Sequence, residues 1–271
     1  MPLIVISRGS ERHGEEVAGK LALKLGYRSI CRESVFKDLV DGDGPRADLF
    51  RAADHDPLAL GRMKNGREKY LAYLRQAFLE RFEEDNAVYH GFAAHTFLRG
   101  VSHAIRVRIN PERDQRLAPT RLNWYRYLHG IDLTDPLQYD LVISMNTMTV
   151  EEAVEVIAEA SRRGCFQPTG DSGNRMRMLC LAARVQALLA EETPFVNVAV
   201  EDGDITLSTE GYWKQAMKVM DRVEQILGEN RSVGIKVRLK TPRTEKRGAA
   251  SANMHWLSKD RESFQKAGIM L

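Results

Sequence analysis

Residues 5–27 read "VISRGSERHGEEVAGKLALKLGY". The apolar opening is a strand, the middle a tight loop and the remainder a helix. Val17, Leu21 and Leu25 recur every four residues, and Gly26 supplies a C-terminal stop. Gly9 and Gly14 enclose four residues, the spacing of a loop whose backbone N–H groups cradle phosphate. After Gly14, however, stand Glu15 and Glu16 instead of a lysine and a hydroxyl residue. A carboxylate about 4 Å from a phosphate oxygen repels it by roughly 4 kcal/mol at an effective dielectric near 20. Read as first-turn residues, the same glutamates gain about 0.3–1 kcal/mol each from the helix dipole, which suits a helix that holds no anion.

Outward from this stretch, five short β-like runs punctuate the first 145 residues: 2–7, 27–31, 87–92, 103–109 and 139–144. Helical patterns fill most of the gaps, among them "REKYLAYLRQAFLERFEED" (67–85) and "TVEEAVEVIAEASRRG" (149–164). The second opens with Thr149 and Glu152 at capping-box spacing. Strands alternating with helices predict an α/β domain, a parallel sheet covered on both faces. "GCFQPTGDSGN" (164–174) reads as a linker. Beyond it, a helix, the alternating run "FVNVAVEDGDITLST" (195–209) with a hairpin turn at Asp202-Gly203, the amphipathic "YWKQAMKVMDRVEQILGE" (212–229) and "VGIKVRL" (233–239) predict a small α+β module of order α-β-β-α-β. The expected boundaries are 1–163, a linker at 164–174, 175–240, and a flexible basic tail at 241–271.

Bulk composition, 43% hydrophobic and 28% charged, is that of a chain with a packed core. Nine of the 40 Lys and Arg but three of the 37 Asp and Glu fall from Lys236 onward, so this end carries +6 and the preceding residues −3. Such a body carries no general nucleic-acid footprint. Cys31, Cys165 and Cys180 are odd in number and lack metal-ligand spacing, which reads as reduced thiols in a cytoplasmic protein. No apolar run reaches the roughly 20 residues of a membrane span.

With "AVYHGFAAHTFL" (87–98) and "YLHGIDLTDPLQYDLVISMNTMTVEEAVEVI" (127–157), the opening stretch resembles the cytidylate kinase-like family over about residues 1–160. The resemblance implies a five-stranded parallel sheet of the P-loop nucleoside monophosphate kinase type, binding ATP with Mg²⁺ and a CMP or dCMP acceptor. It places the nucleotide loop on Arg8, Gly9, Ser10, His13, Gly14, Glu15 and Glu16. The acceptor site falls on Arg32, Arg67 and Tyr70, and a lid at 110–129 carries Arg113, Arg116, Arg121 and Arg126. Arg12, Arg113, Arg116 and Arg121 are the expected catalytic cations, and no protein metal site is expected. Residues 180–240 are similar to a BON domain, which implies a partner or ligand bound through 175–240.

The sequence departs from the family where Glu11, Arg12 and His13 replace loop glycines, where Glu15 replaces a basic residue, and where Phe92 follows Gly91. The stretch before the Asp-Pro block is also short for a full lid. Two readings follow: an ATP-dependent nucleoside monophosphate kinase with an altered loop, or a catalytically weak nucleotide-sensing module acting through the BON-like domain. Other residues bear local readings. Arg106 and Arg108 share one strand face, pointed either at phosphates or at solvent. His90 and His95, five apart, read as structural. Asp132 and Asp135 read as turn and cap residues, and Trp124, Tyr125 and Tyr127 as packing under the lid.

Overall fold

The computed structural model describes residues 2–8, 11–42, 44–55, 59–84, 86–91, 93–110, 125–193, 196–201, 204–210, 219, 221–223, 235–240 and 269–270 of the chain. It divides within one helix into two compact units, Met1–Cys180 and Leu181–Leu271.

The first unit is a five-stranded parallel sheet in the order β2-β3-β1-β4-β5. Its strands are β1 (Leu3–Arg8), β2 (Arg28–Cys31), β3 (Ala87–Gly91), β4 (Ala104–Asn110) and β5 (Leu141–Ser144). All five fall within two residues of the runs legible in sequence. β1 is central, with Ile6 beside His90 of β3 and Ser7 beside Arg108 of β4. Helix α1 (Glu11–Leu25) covers one face together with α7 (Val150–Ser161). Ile4, Ile6, Val88, Ile105 and Val107 pack there against Val17, Leu21, Val154 and Ile157. Both faces of β1 are buried, which is why "LIVI" is continuously apolar instead of alternating.

Between β2 and β3 lie α2 (Arg32–Val40), α3 (Pro45–His55), α4 (Ala59–Arg62) and α5 (Gly66–Phe82). Tyr70, Tyr73, Leu74, Ala77 and Phe78 recur at helical spacing and form the buried stripe of α5. Phe78 and Phe82 meet Tyr89 of β3 edge-on, at centroid distances of 5.1 and 5.7 Å. A 3-10 turn (Ala94–Leu98) follows β3, and residues 125–129 form the helical turn α6 before β5. The capping box at α7 is present. Thr149 N–H donates to Glu152 Oε2 at 2.8 Å, and Thr149 Oγ1 accepts from Glu152 N–H at 3.2 Å.

Residues 164–174, expected as a linker, hold a 3-10 turn (Gly164–Phe166) and the first residues of α8 (Gly170–Leu189), and Phe166 packs against the sheet core. In the second unit, β6 (Asn197–Glu201) and β7 (Asp204–Glu210) pair antiparallel as the Asp-Gly turn implied, with Glu201 opposite Asp204. β8 (Ile235–Lys240) joins β7 in parallel. Ile269–Met270 forms a short β9 beside β8, inside the stretch read as a tail. Most of the expected helix at 212–229, and residues 241–268, lie outside the described residues. No helix among the described residues is long and apolar enough to cross a membrane.

Candidate nucleotide site at the carboxyl edge of the sheet

β1 ends at Arg8 and α1 begins at Glu11, so two residues join strand to helix. Gly14 is therefore the fourth residue of the helix. The N–H groups of its first turn, Glu11 to His13, have no acceptor within the helix, and such an end is where a helix can receive an anion. This start corrects one expectation. Glu15 and Glu16 open the second turn, about 6 Å along the axis from the first residue, where the dipole's effect has faded. Both are exposed. Glu16 is drawn along the flank by Lys20, 3.0 Å away, which also donates to Glu151 of α7 at 2.5 Å. Lys24 pairs with Glu155 one turn further on. Those two carboxylates raise the Lys20 pKa, Glu151 foremost. Glu16 thus belongs to the α1–α7 contact. His13 is half-buried in the first turn, whereas Gly9 and Ser10, and the side chains of Arg8 and Arg12, lie outside the described residues.

Of the residues expected to hold the acceptor, Arg32 and Tyr70 line one cleft. Arg32 opens α2 immediately after β2, and its guanidinium lies 3.9 Å above the Phe36 ring. Tyr70, Leu74 and Phe78 of α5 and Tyr125, Leu128 and His129 of α6 complete the lining. The cleft is narrow: its cavity is about 10 Å³, room for a single water molecule. Tyr70 serves as a wall, stacked 4.5 Å from Phe50 and 6.4 Å from Phe36. Arg67 does not reach the cleft as an open cation. It donates from Nε to the Tyr127 carbonyl at 2.9 Å and from Nη2 to the Leu128 carbonyl at 2.8 Å, fastening α5 to the end of α6. Gly91 is required by a close approach. A Cβ there would stand 2.1 Å from the Tyr89 hydroxyl and 2.9 Å from Arg32 Cβ.

The two strand arginines differ in their partners. Arg106 makes a two-pronged contact with Asp140, at 3.0 Å from Nε and 2.8 Å from Nη2, which strengthens its hold on its proton. Arg108 donates to Asn110 Oδ1 at 2.7 Å and to the Leu133 carbonyl, and its guanidinium lies 5.7 Å from the Tyr139 ring centre. The Tyr139 hydroxyl lies 2.9 Å from the Leu133 carbonyl oxygen, to which it donates, and 3.2 Å from Ser7 Oγ. On the same ring sits His95, centroids 4.7 Å apart, 2% exposed, with neither ring nitrogen hydrogen-bonded. Burial, then His129 and Arg106, Arg99 and Arg108, push its pKa down to about 3, so the ring is neutral. His129 Nδ1 lies 3.5 Å from Thr96 Oγ1, and burial with Arg67 lowers its pKa to about 4.

Of the expected lid cations, Arg113, Arg116 and Arg121 lie outside the described residues. Arg126 pairs with Asp132 at 3.0 Å. Asp132 is a turn residue, as expected: the Thr134 hydroxyl and N–H, then Arg126, hold its pKa down to about 2. Asp135 caps the 3-10 helix Pro136–Gln138. Ser7, His95 and Tyr139 were not picked out as site residues. Ser7 and His95 carry only a signal of position, at or just beyond the carboxyl ends of β1 and β3, where open α/β sheets bind ligands, and Tyr139, which precedes β5, carries none. Among the described residues no three His, Cys, Asp or Glu side chains converge as a metal cage.

The description "Cytidylate kinase-like family" is that of the family model matching residues 3–121. The match runs from β1 through β4 and stops short of the Asp-Pro block. Among solved structures, a protein of Eubacterium ventriosum described as uncharacterized shares 19% identity over 59% of this chain and 97% of its own, with a TM-score of 0.41. Shikimate kinase from Bacteroides thetaiotaomicron shares 15% identity over 59% of this chain and 98% of its own, with a TM-score of 0.37. No curated protein matches the chain.

Proposed function

We propose that residues 1–163 bind nucleoside phosphates and carry out ATP-dependent phosphoryl transfer to a nucleoside monophosphate, CMP or dCMP by family likeness. The observation that carries this reading is the position of Arg32: a guanidinium at the head of α2, over an aromatic ring, lining a cleft at the carboxyl edge of the parallel sheet. Guanidinium matches phosphate in charge and in two-pronged geometry. The family match over residues 3–121 supports the same assignment.

In this reading Arg8, Gly9, Ser10, His13 and Gly14 surround the ATP phosphates, with the first-turn amides of α1 as donors. Glu15 and Glu16 border that site without contributing charge to it. Arg12, Arg113, Arg116 and Arg121 neutralise the transferring group, and Arg32 holds the acceptor phosphate beside the wall of Tyr70. The residues fit ATP at the amide-lined helix end. Mg²⁺ needs no cage of its own, being held largely by phosphate oxygens and water, and supplies charge neutralisation when bound. Positioning and charge are most of what this chemistry asks of a protein.

The partners of Arg67 favour a second reading, a nucleotide sensor with little transfer activity in which residues 175–240 form a BON-like module for a further partner. An acceptor-site arginine already satisfied by two carbonyls is not poised for phosphate. A coupled assay of CMP phosphorylation with ATP and Mg²⁺, run beside calorimetry of each nucleotide, separates the two. Turnover that falls at least roughly tenfold in Arg32→Gln supports transfer. Binding without turnover supports the sensor, and absence of binding excludes both.

A further inference from the structure

Arg106 and Arg108 share one face of β4, two residues apart, yet only Arg106 faces a carboxylate. The bonds of Arg108 all go to neutral partners, and among the described residues no Asp or Glu pairs with it. Its Nε and one Nη1 hydrogen are used, so three of its five N–H groups remain to donate. On the Tyr139 ring that carries this guanidinium lies His95, buried, neutral and without a hydrogen bond at either nitrogen. Buried polar atoms nearly always have partners, and an exception needs a physical reason. The ionisable groups that act on His95 bring no carboxylate to accept from its N–H. Arg99, Arg106, Arg108 and His129 are cations or imidazole, and the Tyr139 hydroxyl is already engaged with Leu133 and Ser7. A cation lacking a counter-charge and a donor lacking an acceptor, side by side, have one common complement, an oxyanion. β1 pairs Ser7 with Arg108, and the Tyr139 hydroxyl lies 3.2 Å from Ser7 Oγ, so the ring that both side chains contact adjoins the carboxyl end of β1.

We propose that Arg108 and His95 form a phosphate-binding subsite for a phosphoryl group of the bound nucleotide, with Arg108 supplying from β4 a positive charge. The inference rests on the reading of this edge as a nucleoside-phosphate site.

The full chain is titrated with pyrophosphate, ATP and CMP by calorimetry, while long-range ¹⁵N NMR follows the His95 ring nitrogens. Pyrophosphate and ATP are expected to move the His95 signals. Arg108→Gln weakens pyrophosphate binding by at least roughly tenfold, about 1.4 kcal/mol, and Arg108→Lys recovers part of it. The comparison variant Arg106→Gln with Asp140→Asn, which removes a matched pair, binds as the wild type does. If nucleotides bind while His95 stays silent and Arg108→Gln is unaltered, the subsite is overturned and the nucleotide reading stands. If pyrophosphate binds through Arg108 but no nucleotide does, the subsite stands and the nucleoside reading falls. Absence of binding by any of the three at millimolar concentration overturns both. The NMR readout uses the wild-type chain, so a variant that fails to fold does not shield the proposal.

Discussion

Along the flank where α1 meets α7, Glu16, Lys20 and Glu151 form a chain of opposite charges, and Lys24 with Glu155 repeats it one turn on. At the carboxyl edge of the sheet, a few residues away, the arginines are treated otherwise. Arg32 rests on a phenyl ring, Arg67 on two carbonyls, and Arg108 on a carbonyl, an amide oxygen and a phenol ring. Arg67 has in addition a loose ion pair with its neighbour Glu68, at 3.8 Å. The difference is one of compensation. Ion pairs on the flank cancel in place and serve the contact between helices. Neutral oxygens and ring faces fix a guanidinium's position without cancelling its charge, which leaves the edge electropositive toward an anion. Arg106 lies between the two regimes, on the edge strand face but neutralised by Asp140.

Four experiments press on this contrast. The largest effect is expected from Gly91→Ala, which drives a methyl into the Tyr89 hydroxyl and the stem of Arg32. Overpacking of this kind costs about 3 kcal/mol, read as a lower urea midpoint, and nucleotide affinity should fall with it because Arg32 is displaced. A variant as stable as the parent would show that the edge is looser than described. Next, Asp140→Asn strips Arg106 of its counter-charge at a site where both side chains are less than a third exposed. A loss of about 2 kcal/mol is expected, below that of a fully buried pair. If this newly uncompensated arginine also tightens pyrophosphate binding, the principle drawn from Arg108 is sharpened.

The third experiment is acid titration of stability. His129 and His95 titrate near 4 and 3 in the folded chain because burial opposes their charge, against 6.5 when unfolded. Well above pH 6.5 neither state binds these protons, so they contribute no slope. As pH falls from there toward 4, the unfolded chain takes up protons that the folded chain refuses, and stability drops by up to about 1.4 kcal/mol per pH unit for each ring. His129→Phe should flatten that slope by one ring's share, as followed by thermal melts across the window; an unchanged slope would place His129 in water. The smallest effect belongs to the flank. Lys20→Ala should lower the melting temperature slightly at low salt and not at all near 1 M, where screening acts within about 3 Å.

The sheet was legible because both its faces are covered: "LIVI" is apolar without interruption, and "AVYHG", with the single polar His90, is buried throughout. The capping box at Thr149 and the hairpin at Asp202-Gly203 were legible for a similar reason, since each is a local rule satisfied by neighbouring residues. The site was legible only in part. The start of α1 at Glu11 is not fixed by glycine spacing, and with it the place of Glu15 and Glu16 on the helix shifts by a turn. The occupation of Arg67 by the Tyr127 and Leu128 carbonyls depends on residues some sixty positions away. Likewise nothing in "HAIRVRI" distinguishes Arg106 from Arg108. The distinction arises from Asp140, which β5 brings alongside one of them and not the other.

The hold of α6 on Arg67 has one more consequence. Tyr125, Leu128 and His129 make one wall of the cleft, and the carbonyl that ends this wall is an acceptor for the guanidinium. Swinging the wall outward therefore uncouples the cation in the same movement. The width of the cleft and the freedom of this cation are thus set by the same two backbone bonds.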